Sequence, residues 1–189
     1  NAFPFTGEVP TWADRLQQHG RPVVSIGKLH YRDDSVLGGF DRTLIPMHIK
    51  NGVGDVFGSI REPMPVRVKT RTLSEKIGPG ESNYTRYDRA ITAAAEAWLT
   101  EEAPKLQEPW TLYVGLVAPH FPLIAPEEFY ALYPPEQMPL PRDCRPESWQ
   151  RHPWLDAMRS YYIWDQFFDD EKRRIATARS AAKRKAAPK

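Results

Sequence analysis

Lys28 and His30 lie two residues apart in Gly27-Lys28-Leu29-His30, and on an extended chain that spacing sends both side chains to one face. His120 lies between Pro119 and Pro122, which restrict the backbone on both sides and favour a fixed imidazole direction. Each group closes an apolar run that reads as a strand, and in open α/β sheets ligand sites gather beyond the carboxyl ends of the strands. One ammonium and two imidazoles brought together there could surround an anionic ester, meeting charge as it develops and moving a proton. Taken singly, a Lys or His at a strand end is ordinarily a solvated or structurally hydrogen-bonded group. The coincidence at two strand ends carries the expectation.

The elements that must position these groups are legible in part. Thr11-Trp12-Ala13-Asp14 has a side-chain oxygen at a cap and a carboxylate three residues on, and Trp12 and Leu16 lie one helical turn apart. A short helix ending near Gly20 is expected. Pro22-Val23-Val24-Ser25-Ile26 is a compact β-branched run suited to a buried strand. From Tyr31 to Asn83 the periodicity fails amid many Gly and Pro residues, which predicts a site-covering span or short strands without a clear signature.

Regularity returns with Thr85-Arg86-Tyr87-Asp88, a second cap-like pair, leading into Ile91, Ala94, Ala95, Trp98 and Leu99 on one helical face. This helix, to about Glu102, is the crossover that two parallel strands require. Trp110 to Val117 predicts the second buried strand, and Pro126 to Tyr133 a short helix with proline at its first position. Residues 134–153 are proline-rich and expected to be extended, and helical character returns over Trp154 to Phe168 and Asp169 to Arg179. The fold class implied is α/β, with a mainly parallel sheet flanked by helices and long loops.

The 189 residues, 41% hydrophobic and 12% aromatic, are enough for a real core. Residues 172–189 hold eight basic residues and no acid, leaving 18 basic against 24 acidic residues in 1–171, a formal charge of −6. The body is acidic, which argues against a nucleic-acid binder, and the tail reads as a solvated terminus. No apolar run approaches the ~20 residues of a membrane span. The single Cys144 allows no internal disulfide.

Gly27-Lys28-Leu29-His30 after a β-branched strand resembles the Gly-Lys-Trp-His segment of the type I sulfatases of the alkaline phosphatase superfamily, with Leu29 in place of Trp. Ala118-Pro119-His120-Phe121-Pro122 is similar to a second segment of that family, in the same order and at the same separation. Gly39-Phe40-Asp41, Pro46-Met47-His48 and Tyr133-Pro134 resemble choline-sulfatase-like and phosphonate-monoester-hydrolase-like members. The resemblance covers roughly residues 3 to 178 and implies a partial alkaline-phosphatase-like catalytic domain over 1–171, with 172–189 a basic helix end and tail. It implies that Lys28 contacts the sulfate oxygens and the nucleophile, that His30 hydrogen-bonds the nucleophile, and that His120 binds the sulfate or assists the leaving group. His48 is a further substrate-pocket candidate. His19 and His152 are expected to be structural.

The same resemblance implies a divalent cation, Ca or Mg/Mn, and a formylglycine made from Cys or Ser in Cys-x-Pro-x-Arg upstream of the first segment. No such residue precedes Gly27. Cys144-Arg145-Pro146-Glu147-Ser148 imitates the motif but ends in Ser148 and lies after His120, so Cys144 is expected to stay an unmodified thiol. Neither Asp33-Asp34 nor Asp169-Asp170 can be placed in the family's metal cradle; both read as turn or cap residues. The chain is therefore expected to be an internal piece, binding a small anionic sulfate ester but inactive alone, with no cation bound by its own residues. A phosphonate or phosphate ester hydrolase piece and a non-catalytic anion-binding module are the rivals.

Overall fold

The computed structural model describes residues 5–36, 38–49, 76–139 and 152–162. Residues 50–75 of the aperiodic span, Cys144, Asp169-Asp170 and the basic tail lie outside the described residues. The chain divides into two compact units, Asn1–Phe57 with Ser82–His120, and Gly58–Glu81 with Phe121–Lys189.

The first unit is built on a small parallel sheet. Helix α1, Trp12–Gln18, begins at a capping box in which the Thr11 hydroxyl accepts from the Asp14 amide at 3.1 Å and the Asp14 carboxylate accepts from the Thr11 amide at 2.6 Å. Strand β1, Val23–Lys28, is central, with β2, Arg42–Met47, on one side and β4, Thr111–Gly115, on the other, both parallel to it. Successive β1 side chains point to opposite faces. Val24 and Ile26 pack on Ile91 and Ala95 of helix α2, Asn83–Ala97, and on Trp98 just after it, whereas Val23 packs with Ala13 of α1, Leu29 and Phe40. Helices thus cover both faces, and the expected α/β architecture with parallel neighbouring strands is what forms.

Details depart from expectation for physical reasons. The helix cap is Ser82, whose hydroxyl accepts from the Thr85 amide at 3.1 Å, so the box sits three residues before the Thr85-x-x-Asp88 pair. Trp98–Glu102 continues α2 as a π turn; Leu99 is exposed, whereas Trp98 is buried and meets the Trp110 ring at a steep angle. Strand β4 was expected to be buried, but its only described neighbour is β1, and Tyr113 and Val114 are 39% and 41% exposed. Strand β2 has no periodic signature because it carries Pro46 and a bulge: Ile26 pairs with Leu44 and Lys28 with Met47, so Gly27 faces both Ile45 and Pro46. Ile45 takes φ 41°, and its carbonyl accepts the Tyr87 hydroxyl at 2.5 Å.

In the second unit, strands β3, Gly78–Pro79, and β5, Ile124–Ala125, pair in parallel. Helix α3, Glu127–Tyr130, has Pro126 at its N-cap, one residue before the expected place, and helix α4 spans Pro153–Tyr162. No helix among the described residues is long and apolar enough to cross a membrane.

Ser82→Ala is expected to lower stability by about 1 kcal/mol, because it removes the side-chain acceptor at the start of α2. Thermal unfolding of the two proteins side by side measures it.

Candidate anion site at the strand ends

Lys28 is the last residue of β1, half-buried, and His30 is exposed two residues on. Leu29 between them is buried in the α1-side cluster, and its amide donates to the Met47 carbonyl at 3.0 Å, which keeps the segment extended beside β2. Lys28 and His30 line an open concavity of about 500 Å³, with Trp12, Tyr31, Phe40 and Tyr113 among its walls. Tyr113 is tilted against Phe40 with ring centroids 5.9 Å apart. Burial and then the neighbouring Asp14 carboxylate raise the Tyr31 phenol pKa, so the wall stays neutral.

His120 follows β4, five residues after Gly115, the register partner of Gly27 on β1. It does not line the concavity. Partial desolvation first and then the Lys28 ammonium, with smaller contributions of which His120 is the least, hold the His30 pKa below its ordinary 6.5. The Lys28 ammonium is thus close enough to His30 to disfavour its protonation.

Helix α2 reaches the same corner. The Asp88 carboxylate accepts from the Val117 amide at 2.7 Å and the Ala118 amide at 2.9 Å, and the Tyr84 ring meets His120 edge-on with centroids 5.7 Å apart. Pro119 and Pro122 both follow cis peptide bonds. Asp88 and Tyr84 were not foreseen as site residues. The signal was present: Tyr84, Asp88, Ile91 and Ala95 share one helical face, so the stripe buried on the sheet runs on into polar groups at the strand ends.

His48 stands apart from the concavity. Its Nε2 pairs with Asp34 Oδ1 at 2.9 Å, its Nδ1 is buried without a partner, and its ring tilts against Tyr31 at 6.5 Å. Asp33 accepts from the Ser35 amide at 2.9 Å in a local turn, as expected, while Asp34 has the His48 pairing instead. His19 caps α1 at its C-terminus, and His152 accepts the Trp154 amide at 3.2 Å at the start of α4. Among the described residues no three His, Cys, Asp or Glu side chains converge on a point where a cation could be held. The described residues therefore do not make the cradle a divalent cation needs.

No family model matches the chain. Two curated proteins resemble part of it: arylsulfatase K of Homo sapiens, 28% identical over 113 residues, and arylsulfatase K of Canis lupus familiaris, 26% identical over 110 residues. Each alignment covers 58% of this chain, and the chain spans only 18% of either relative. Both likenesses support a distant relationship to the sulfatase family.

Proposed function

We propose, proceeding from that sulfatase relationship, that Lys28, His30 and His120 form the anion-holding side of a sulfuric ester hydrolase site that takes a small sulfate ester. The supporting observation is the adjacency of β1 and β4 in parallel register, which brings Lys28 and His30 to the same end of the sheet as the loop bearing His120. Lys28 neutralises charge on the sulfate oxygens, His30 donates a hydrogen bond beside it, and His120 binds the sulfate or gives a proton to the departing oxygen. The attacking group and the cation ligands are not among these residues. The 189-residue chain is therefore expected to bind the anion without turning over an ester.

Isothermal titration of the full chain with inorganic sulfate and, separately, inorganic phosphate tests the reading, together with an aryl sulfate assay containing calcium, magnesium or manganese. Saturable sulfate binding that weakens in Lys28→Ala supports it; phosphate bound far more tightly than sulfate would favour a phosphate ester instead. Turnover abolished by Lys28→Ala would overturn the expected inactivity.

A pH dependence follows with a definite sign. Because folding depresses the His30 pKa, its contribution to stability is fully present above about pH 6.5 and is lost as pH falls through the lower folded value. Sulfate reverses this balance by favouring the imidazolium. Sulfate affinity is expected to increase from pH 7.5 to 5.5, and the His30 titration to move upward in saturating sulfate. Imidazole chemical shifts followed against pH with and without sulfate check both.

A further inference from the structure

We infer that Asp88 and Tyr84, one turn apart on α2, are positioning residues for His120, an inference that rests on the anion-site reading above. Strand β4 ends at Gly115, and the chain beyond it has left the sheet. Asp88 takes hold of this segment at two consecutive amides, Val117 and Ala118, one with each carboxylate oxygen. Charge-assisted bonds of this kind are stronger than neutral ones, and two of them fix direction as well as distance. Val117 is buried, so the grip lies partly out of water. The next turn closes on the same residue, since the His120 amide donates to the Val117 carbonyl at 2.9 Å. Tyr84 then sets its ring perpendicular to the imidazole, at 85°.

The helix that carries both residues is itself fixed to the strand that carries Lys28. Ile91, Ala95 and Trp98 pack on Val24 and Ile26, and Ile91 lies so close to Gly27 that a Cβ there would meet it at 2.7 Å. Lys28 and His120 are therefore referred to one rigid element, although they lie on different strands. A ligand bridging them needs that registration, because an error of about 1 Å in one of two convergent groups forfeits much of their joint effect.

The test uses the full chain carrying Asp88→Ala, Asp88→Asn, Tyr84→Phe or Tyr84→Leu. His120 ring signals are read by NMR, and inorganic sulfate affinity and thermal unfolding are measured alongside. In Asp88→Ala the His120 signals are expected to move and sulfate affinity to fall about 10-fold. Asp88→Asn keeps one acceptor oxygen but sets its NH2 against the second amide, so it should fall between Asp88→Ala and the unmodified chain in both readouts. Tyr84→Phe keeps the ring and the His120 shift; Tyr84→Leu loses the ring-current contribution. Unmoved His120 signals and unchanged sulfate affinity in Asp88→Ala would overturn the inference. If Asp88→Ala does not fold, the Asn and Leu variants decide by the same readouts. If the unmodified chain binds no sulfate, the anion-site reading fails, while displaced His120 signals still support the positioning role.

Discussion

Gly27→Ala is expected to destabilise the first unit by about 3 kcal/mol, from left-handed backbone strain and overpacking together. Gly27 takes φ +98°, and a Cβ there would stand 2.5 Å from the Gly115 carbonyl oxygen and 2.7 Å from Ile91 Cδ1. Neither neighbour can yield cheaply. The carbonyl belongs to the backbone of β4, and Ile91 is fully buried between β1 and α2. The consequence reaches the site, because Gly27, opposite the β2 bulge, immediately precedes the Lys28 to His30 segment. Chemical denaturation should show a lower midpoint with little change in slope. A midpoint within experimental error of the unmodified chain would mean that the strand end is looser than its contacts imply. Ile91→Val, which removes only a methylene, should partly relieve the clash when combined with Gly27→Ala.

Lys28→Ala is expected to weaken inorganic sulfate binding by about 10- to 100-fold, the equivalent of one hydrogen bond to a charged group. The ammonium is half-buried at the rim of the concavity, where solvent screens it less than on an open surface. Lys28→Arg keeps the charge but changes its shape, so it should retain part of the affinity. Fold stability should change little in either variant, since the neighbouring Leu29 rather than Lys28 belongs to the core. Comparing sulfate titrations at two salt concentrations separates a local site from diffuse attraction; only the diffuse part is lost with added salt.

Much of the frame that carries these residues could be read directly. The β-branched run at Val23 to Ile26 became the central strand, the Thr11 box started α1, and Ile91, Ala95 and Trp98 became the buried face of α2. What escaped notice depended on contacts distant in sequence. Strand β2 has a proline and a left-handed Ile45, which contradict strand propensity, and it forms because β1 supplies a partner. The Thr85-x-x-Asp88 spacing looks like a cap. Ser82, extended at φ −126° and ψ 172°, takes the capping role and frees Asp88 for the amides beyond β4. His48 likewise could not be resolved from its tripeptide, because its partner Asp34 lies fourteen residues away across a loop. The departure of Lys28, His30 and the His120 loop from one end of the sheet was the part most open to reading, since it needs only two parallel neighbours and the direction of the chain.

Whether those three groups serve one anion is tested most directly by following every imidazole of the full chain by NMR during an inorganic sulfate titration at pH 6. The expected result is that His30 and His120 shift together along one saturation curve, that His19 and His152 stay still, and that Lys28→Ala abolishes the concerted shift. Separate curves for His30 and His120, or a His120 that does not respond while His30 does, would contradict a shared site.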